Sequence, residues 1–336
     1  MNILITGGAG FLGVRLARTL LSMGSLSVNG QAAQQITRIV LLDRAAPPDD
    51  LTADKRVKTV TGDLNALLQD TPSFLAAYAD VTLVYHLAAA VSGECEADFD
   101  LGMRSNFAAT HALLEACRAL KTQPMLVFAS SLAVFGQNAL LQLPDVVTDS
   151  TLPTPQSSYG IQKFIGEQMT ADFGRKGFIR ARNVRLMTVS VRPGKPNGAA
   201  SSFFSGMIRE PLAGIGSVVP VQAHTHVALS SPGRTIEGLI RTAEASDADW
   251  GPLTAMNLPA ITTQVGEMAH ALESLGGSAA AALLNWQVDP AIERIVATWP
   301  TRIASPRANA LGLQADASFD SIVRAYIGEN PHAIAR

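Results

Sequence analysis

Only two cysteines, Cys95 and Cys117, occur in 336 residues, which excludes a disulfide framework and leaves no clustered thiols for a structural zinc site. Charge is scarce and balanced. Charged residues are 16% of the chain, 26 Lys plus Arg against 28 Asp plus Glu, for a formal net charge of -2. No basic excess calls for nucleic acid or an acidic membrane surface. No apolar run reaches the roughly 18 to 20 residues that span a bilayer, and "NILITGGAG" opens the chain without the basic flank and cleavage site of a signal peptide. The expectation is a soluble, cytoplasmic protein in a reducing compartment, with a small-molecule partner and neither nucleic acid nor membrane.

What is present is apolar and alternating. Hydrophobic residues make up 47% of the chain, enough for a substantial core. Short apolar runs alternate with amphipathic stretches, the pattern of a parallel sheet covered by helices on both faces. Strands are expected at Asn2 to Thr6, Arg38 to Asp43, Val57 to Gly62, Val81 to Ala88, Met125 to Ser131 and Arg182 to Val191. Helices are expected at Phe11 to Met23, Asn65 to Tyr78, Asp98 to Leu120 and Tyr159 to Gly174. The fold class is therefore α/β, a doubly wound parallel sheet of the Rossmann type with a smaller C-terminal lobe. Residues 1–191, with 226–260 returning, should form the dinucleotide-binding domain. Residues 192–225 and 261–336 should form the lobe that binds substrate, and later helices are expected at Thr235 to Ala245, Thr263 to Leu275, Pro290 to Thr298 and Ser318 to Ile327. "SLSVNGQAAQQ", from Ser25, reads as a polar connection that delays the second strand.

In "NILITGGAGFLGVRLARTLL", Gly7, Gly10 and Gly13 stand between a strand and an amphipathic helix, the setting that turns a glycine pattern into a dinucleotide-binding loop. The first glycine allows the tight turn, the second lets the backbone approach a pyrophosphate, and the third lets helix and strand pack closely. The helix start offers unpaired N–H groups to the anion. Asp43 ends "IVLLD", where a carboxylate accepts bonds from both ribose hydroxyls and repels the extra phosphate of NADP, so NAD is the expected cofactor. Arg44 follows it and leaves accommodation of that phosphate open. Asp63, with Leu64, ends the third strand within reach of an adenine edge. Leu87, Ala88 and Ala89 after the fourth strand are small enough for a cofactor to lie against them, or serve packing.

Ser130 and Ser131 stand at the carboxyl end of the fifth strand, the edge where ligands bind in open parallel sheets. In "SSYGIQKFIGEQ", Tyr159 and Lys163 share one helix face at i and i+4. That spacing alone is ordinary. The ordered series is not: Gly7-Gly8-Ala9-Gly10-Phe11-Leu12-Gly13, Asp43, Asp63, His86-Leu87-Ala88-Ala89, Asn106, Ser131 before "AVFG", and Tyr159 with Lys163 resemble the extended short-chain dehydrogenase/reductase family, the NAD-dependent epimerase/dehydratase group. The match runs over roughly residues 1–191.

The resemblance implies an NAD-dependent enzyme with Ser131, Tyr159 and Lys163 as catalytic residues. Phe11 and Leu12 would join the glycines against the cofactor, and Lys163 would hold its nicotinamide ribose. Asn106 would shape its helix. Tyr159, as phenolate, would take a hydroxyl proton while hydride leaves the same carbon. A free phenol has a pKa near 10, and a cation about 5 Å away at an effective dielectric near 20 contributes on the order of 3 kcal/mol, about two units. "SVRPGKPNGAASSFFSGMIREPLAG" and "HTHVALSSPGRTIEGLI" are similar to a branch that oxidises the C2 hydroxyl of a four-carbon sugar acid. Such a substrate needs cations or donors, which Arg192, Lys195, Ser201 and Arg209 offer, and Ser92 is placed to meet a substrate hydroxyl. The alternative is a nucleotide-sugar epimerase on the same scaffold; dehydration is disfavoured because Leu132 and Ala133 cannot transfer protons. The resemblance also implies a homodimer through helices that include the one carrying Tyr159. His224 and His226 share a strand face without a clear third ligand, so no metal is expected.

Overall fold

The structure, a computed structural model, describes residues 1–69, 71–196 and 198–335. Seven strands form the central sheet: β1 (Asn2–Thr6), β2 (Arg38–Asp43), β3 (Val57–Thr61), β4 (Leu83–His86), β5 (Met125–Ser131), β6 (Arg180–Leu186) and β7 (Met256–Asn257). Their order is β7-β6-β5-β4-β1-β2-β3. β1 pairs parallel with both β2 and β4, and β2–β3 and β4–β5 are parallel too. The direction of winding therefore reverses between β1 and β4, which opens a crevice at their carboxyl ends.

Consecutive residues on the central strands are all buried, Ile3, Leu4 and Ile5 among them, because helices cover both faces and neither face meets water. One face, through Leu4, Val40, Val84 and Leu126, packs on Leu113 and Leu114. These last lie on the helix Ala109–Ala119.

Several elements match the expected boundaries: β1, β2, β5 and the helix α1 (Phe11–Met23). Others divide. The helix expected over Asn65 to Tyr78 is helical over Leu64–Gln69 and Thr71–Tyr78, and Asp70 lies outside the described residues. Asp98 to Leu120 becomes Phe99–Gly102, a π-helical stretch Met103–Ala108, and Ala109–Ala119. The strand expected to Val191 leaves the main sheet after Leu186, and Thr188–Val189 pairs instead with His226–Ser230. The polar connection from Ser25 closes as a short hairpin, Ser25–Leu26 against Gln34–Gln35. Its tip is tied down by Asn29 N donating to Ala243 O at 2.9 Å.

The chain divides into two compact units: residues 1–131, 158–185 and 236–256 in the first, and 132–157, 186–235 and 257–336 in the second. This partition differs from the expected one in residues 186–191, 226–235 and 257–260, which join the second unit, and most of all in residues 132–157. Residues 132–157 follow β5 in sequence but bond to the C-terminal region, Gln137 N to Thr298 O at 3.1 Å and Val147 N to Arg302 O at 2.9 Å. The second unit holds a three-stranded sheet, with His226–Ser230 between Thr188–Val189 and Ile261–Gln264. Its core includes Phe204 and Met207 of the helix Phe203–Leu212, Met268 and Leu272 of Val265–Gly276, and Ile322 of Phe319–Glu329.

Candidate active site

The glycine loop is built as its spacing requires. Gly7 has φ +70°, and a Cβ there would lie 2.8 Å from Ala88 N. A Cβ on Gly13 would lie 2.1 Å from Gly7 O, so only glycine lets α1 start this close to β1. Gly10 is exposed and a Cβ there would touch only Gly7 O, at 3.2 Å. The first turn of α1 has neither a side-chain cap nor an acidic residue, which leaves its N–H groups and dipole for an anion. Phe11 and Leu12, in that turn, are half-buried.

Asp43 turns back onto this loop: Oδ2 accepts from Ala9 N at 3.0 Å and Oδ1 from Ala45 N at 3.1 Å. Its position is fixed, and each oxygen retains a lone pair for a ribose hydroxyl. Asp63 has local work as well, accepting from Asn65 N at 3.0 Å as the cap of the helix Leu64–Gln69. Leu64, Leu87, Ala88 and Ala89 are half-buried. These residues fit a dinucleotide: a cradle that any Cβ would fill, with a carboxylate beside it.

Beneath Ala88 runs a buried polar chain. Ala88 N donates to Thr6 Oγ1 at 3.3 Å, Thr6 Oγ1 lies 2.6 Å from His86 Nδ1, His86 Nε2 lies 2.9 Å from Thr110 Oγ1, and Thr110 donates to Asn106 O at 2.6 Å. Since Thr110 spends its proton on the carbonyl, His86 must donate from Nε2 and accept at Nδ1. Burial, and secondarily the charge of Lys163, push His86 down to about 3. It is a neutral spacer that fixes Ala88.

Asn106 sits in the π-helical stretch, where the extra residue per turn re-aims its side chain. Its Nδ2 donates to Gln162 Oε1 at 2.8 Å and Ala90 O at 3.1 Å, and its Oδ1 accepts from Ala90 N at 2.8 Å. It also contacts Cys95 Sγ at 3.3 Å. The segment after β4 is thereby stitched to the helix α3 (Ser158–Arg175), α2 being Ser92–Ala97. Glu96 of α2 accepts from Ser158 N at 2.7 Å, at the start of α3. Burial pushes the Cys95 thiol up to about 11, so it is inert. Ser92, at the start of α2, is buried.

Tyr159 and Ser131 are half-buried, at the first turn of α3 and the end of β5. Lys163 is 4% exposed. Its Nζ donates to Ala129 O at 2.8 Å, lies 5.0 Å from the Phe128 ring centre and 5.7 Å from that of Tyr159. Burial pushes its ammonium down to about 8, opposed by Cys95 and Glu167. The fold thus brings Lys163 against Tyr159 and ties it to the strand two residues before Ser131.

In the second unit, Arg192 is half-buried: its N donates to Ser205 Oγ at 3.0 Å and its Nη2 to Ser201 O at 3.1 Å. Arg209 is buried, donates from Nη1 to Arg192 O at 2.7 Å, and pairs with the Glu210 carboxylate. Lys195 is exposed, and Ser201 and Ser202 are half-buried; Asn197, in the same loop, lies outside the described residues. His226 contacts Gln264 Nε2 at 3.2 Å. Among the described residues no three His, Cys, Asp or Glu side chains are grouped to hold a metal, and no helix is long and apolar enough to cross a membrane.

Residues 3–226 match the NAD dependent epimerase/dehydratase family. The chain is 49% identical over 329 residues, 97% of its length and 98% of the relative's, to a D-erythronate dehydrogenase of Cupriavidus necator. It is 36% identical over 330 residues, 97% of its length and 99% of the relative's, to a D-erythronate dehydrogenase of Haemophilus influenzae. Among solved structures, a nucleoside-diphosphate-sugar epimerase from Agrobacterium tumefaciens is similar, with a TM-score of 0.88 and 34% identity over 99% of this chain and 95% of that one.

Proposed function

The chain belongs to the NAD dependent epimerase/dehydratase family, and on that premise we propose that it oxidises the C2 hydroxyl of D-erythronate to the 2-oxo acid with NAD. The observation that carries this reading is the buried Lys163 ammonium, held by Ala129 O at 2.8 Å and facing the Tyr159 ring at 5.7 Å. NAD, when bound, supplies the hydride acceptor. Gly7, Gly10 and Gly13 with the first turn of α1 hold its pyrophosphate, and Phe11, Leu12, Leu87, Ala88 and Ala89 line it. Asp43 takes the adenosine ribose, and Asp63 with Leu64 the adenine edge.

Ser131 orients the reacting hydroxyl, and Tyr159 takes its proton as the C2–H bond gives up its electron pair. The electrons of the O–H bond become the second bond of the carbonyl, so the products are a 2-oxo acid, reduced cofactor and one proton on Tyr159. An ammonium beside the phenol favours proton transfer to and from its oxygen by stabilising negative charge there. Lys163 also holds the nicotinamide ribose. Arg192, whose backbone and side chain are both fixed, offers a guanidinium suited to a carboxylate, and Ser92, Lys195 and Ser201 offer further polar groups. Arg209 enters as the support of Arg192 O. A homodimer through α3 accounts for the exposure of Ile161 on that helix, 47%.

A second reading is favoured by one observation, the 34% identity with a structure named as a nucleoside-diphosphate-sugar epimerase. Identity over nearly the whole chain is higher with the D-erythronate dehydrogenase of Cupriavidus necator, 49%. Incubation with D-erythronate and added NAD separates the two. Steady formation of NADH supports the dehydrogenase; tightly retained cofactor without net reduction supports the epimerase.

A further inference from the structure

Three consecutive residues of β5 are gripped by α3. A Cβ on Gly166 would come within 2.5 Å of the Phe128 ring, so helix and strand are in close contact there. Ala129 O accepts from Lys163 Nζ at 2.8 Å. Ser130 Oγ donates to Glu167 Oε1 at 2.5 Å. The next residue is Ser131.

Glu167 is itself clamped. Arg185 on β6 donates from Nε to Oε1 at 2.9 Å and from Nη2 to Oε2 at 2.8 Å, a two-pronged pair whose side chains are 4% and 2% exposed. Asn183 Nδ2 adds a bond to Glu167 O at 3.0 Å. A buried ion pair costs desolvation that its attraction barely repays, so such a pair beside a reaction site invites a role beyond stability. Nothing in the reaction described above uses it.

We propose that Glu167 is a positioning residue for the proposed oxidation: clamped by Arg185, it locks the register of α3 on β5 through Ser130 and counterbalances the Lys163 ammonium one helical turn away. This rests on Tyr159 and Lys163 acting as described above. Four groups face Lys163: Tyr159 and Glu167 on α3, His86 on β4 and Cys95 on α2, the last flanked by Glu94 and Glu96. His86, down at about 3, and Cys95, up at about 11, are both uncharged near neutrality. Glu167 is then the negative charge acting directly on the ammonium. Its removal lowers the pH at which Lys163 loses its proton, because a positive group next to fewer negative charges gives up its proton more readily.

The test is the pH profile of kcat for NADH formation from D-erythronate in Glu167→Gln and Ser130→Ala, with NAD binding followed by fluorescence and Tyr159→Phe as control. Glu167→Gln should move the alkaline limb to lower pH by about one unit or more. Ser130→Ala keeps the charge, so its limb should stay in place while kcat falls by about tenfold from the loosened register. An unmoved limb in Glu167→Gln, or full kcat in Ser130→Ala, overturns the proposal. If the single charge change prevents folding, Glu167→Gln/Arg185→Gln removes the pair whole, and its limb should move in the same direction; an unmoved limb there is equally contrary. Full turnover by Tyr159→Phe would instead sink the underlying reading of the site, which keeps the two failures distinct.

Discussion

Lys163 in the first unit and Arg209 in the second are both buried cations, and the fold treats them differently. Arg209 is neutralised by the adjacent Glu210 carboxylate and a backbone carbonyl, so its charge is consumed where it stands. Lys163 donates a hydrogen bond to a neutral carbonyl and faces the ring of Tyr159. Its charge, balanced from one helical turn away by Glu167 instead of being consumed in a contact pair, acts on its neighbours. A paired buried cation builds structure; one held by neutral groups tunes chemistry, and its depressed pKa records the cost.

Between these two cations, the larger effect should come from Lys163. Lys163→Met should lower kcat by about a thousandfold through loss of phenolate stabilisation and cofactor positioning, while thermal stability holds or rises because a buried charge is removed. Steady-state kinetics with a melting curve decides it; a variant that loses stability and keeps its rate would reverse the comparison.

A second buried base sharpens the contrast. His86 is held neutral, near 3 against about 6.5 in the unfolded chain. A depressed folded value means that the unfolded state binds the extra proton first. The stabilisation is therefore complete above about pH 6.5 and is lost as pH falls toward 3, by on the order of 5 kcal/mol. Urea unfolding across that range should show the loss, and His86→Gln should flatten it.

Smaller effects are expected in the second unit, with opposite signatures for two neighbouring arginines. Arg209→Met strands the Glu210 carboxylate and should cost about 3 kcal/mol of stability. Arg192→Ala should raise the KM for D-erythronate by roughly thirtyfold, the loss of a charged hydrogen bond, with little change in melting temperature. Equal behaviour of the two in both assays would erase the distinction drawn between them.

How far the sequence anticipates this follows from the range of the interactions. β1, α1, β2 and β5 are written in contiguous apolar runs and glycine spacing, and their boundaries are readable residue by residue. Tyr159 and Lys163 are one turn apart on one helix, so their meeting is local. Asn106 with Ala90 and Gln162, His86 with Thr6 and Thr110, and Glu167 with Ser130 and Arg185 are not local. No periodicity predicts a pairing 37 or 80 positions apart. Glu94 and Glu96 in "SGECEA" look like a charged stretch, yet one caps its own helix at Val91 N and the other the start of α3. Residues 132–157 carry no strong pattern, and their membership of the second unit is set by partners near residue 300.

The central claim is that the Tyr159 oxygen accepts the substrate proton. The most direct test measures NADH formation from D-erythronate by Tyr159→Phe alongside its affinity for NAD. The account predicts turnover lowered by about a thousandfold or more, with NAD bound nearly as tightly as by the parent; a variant that forms NADH at the parent rate would contradict it.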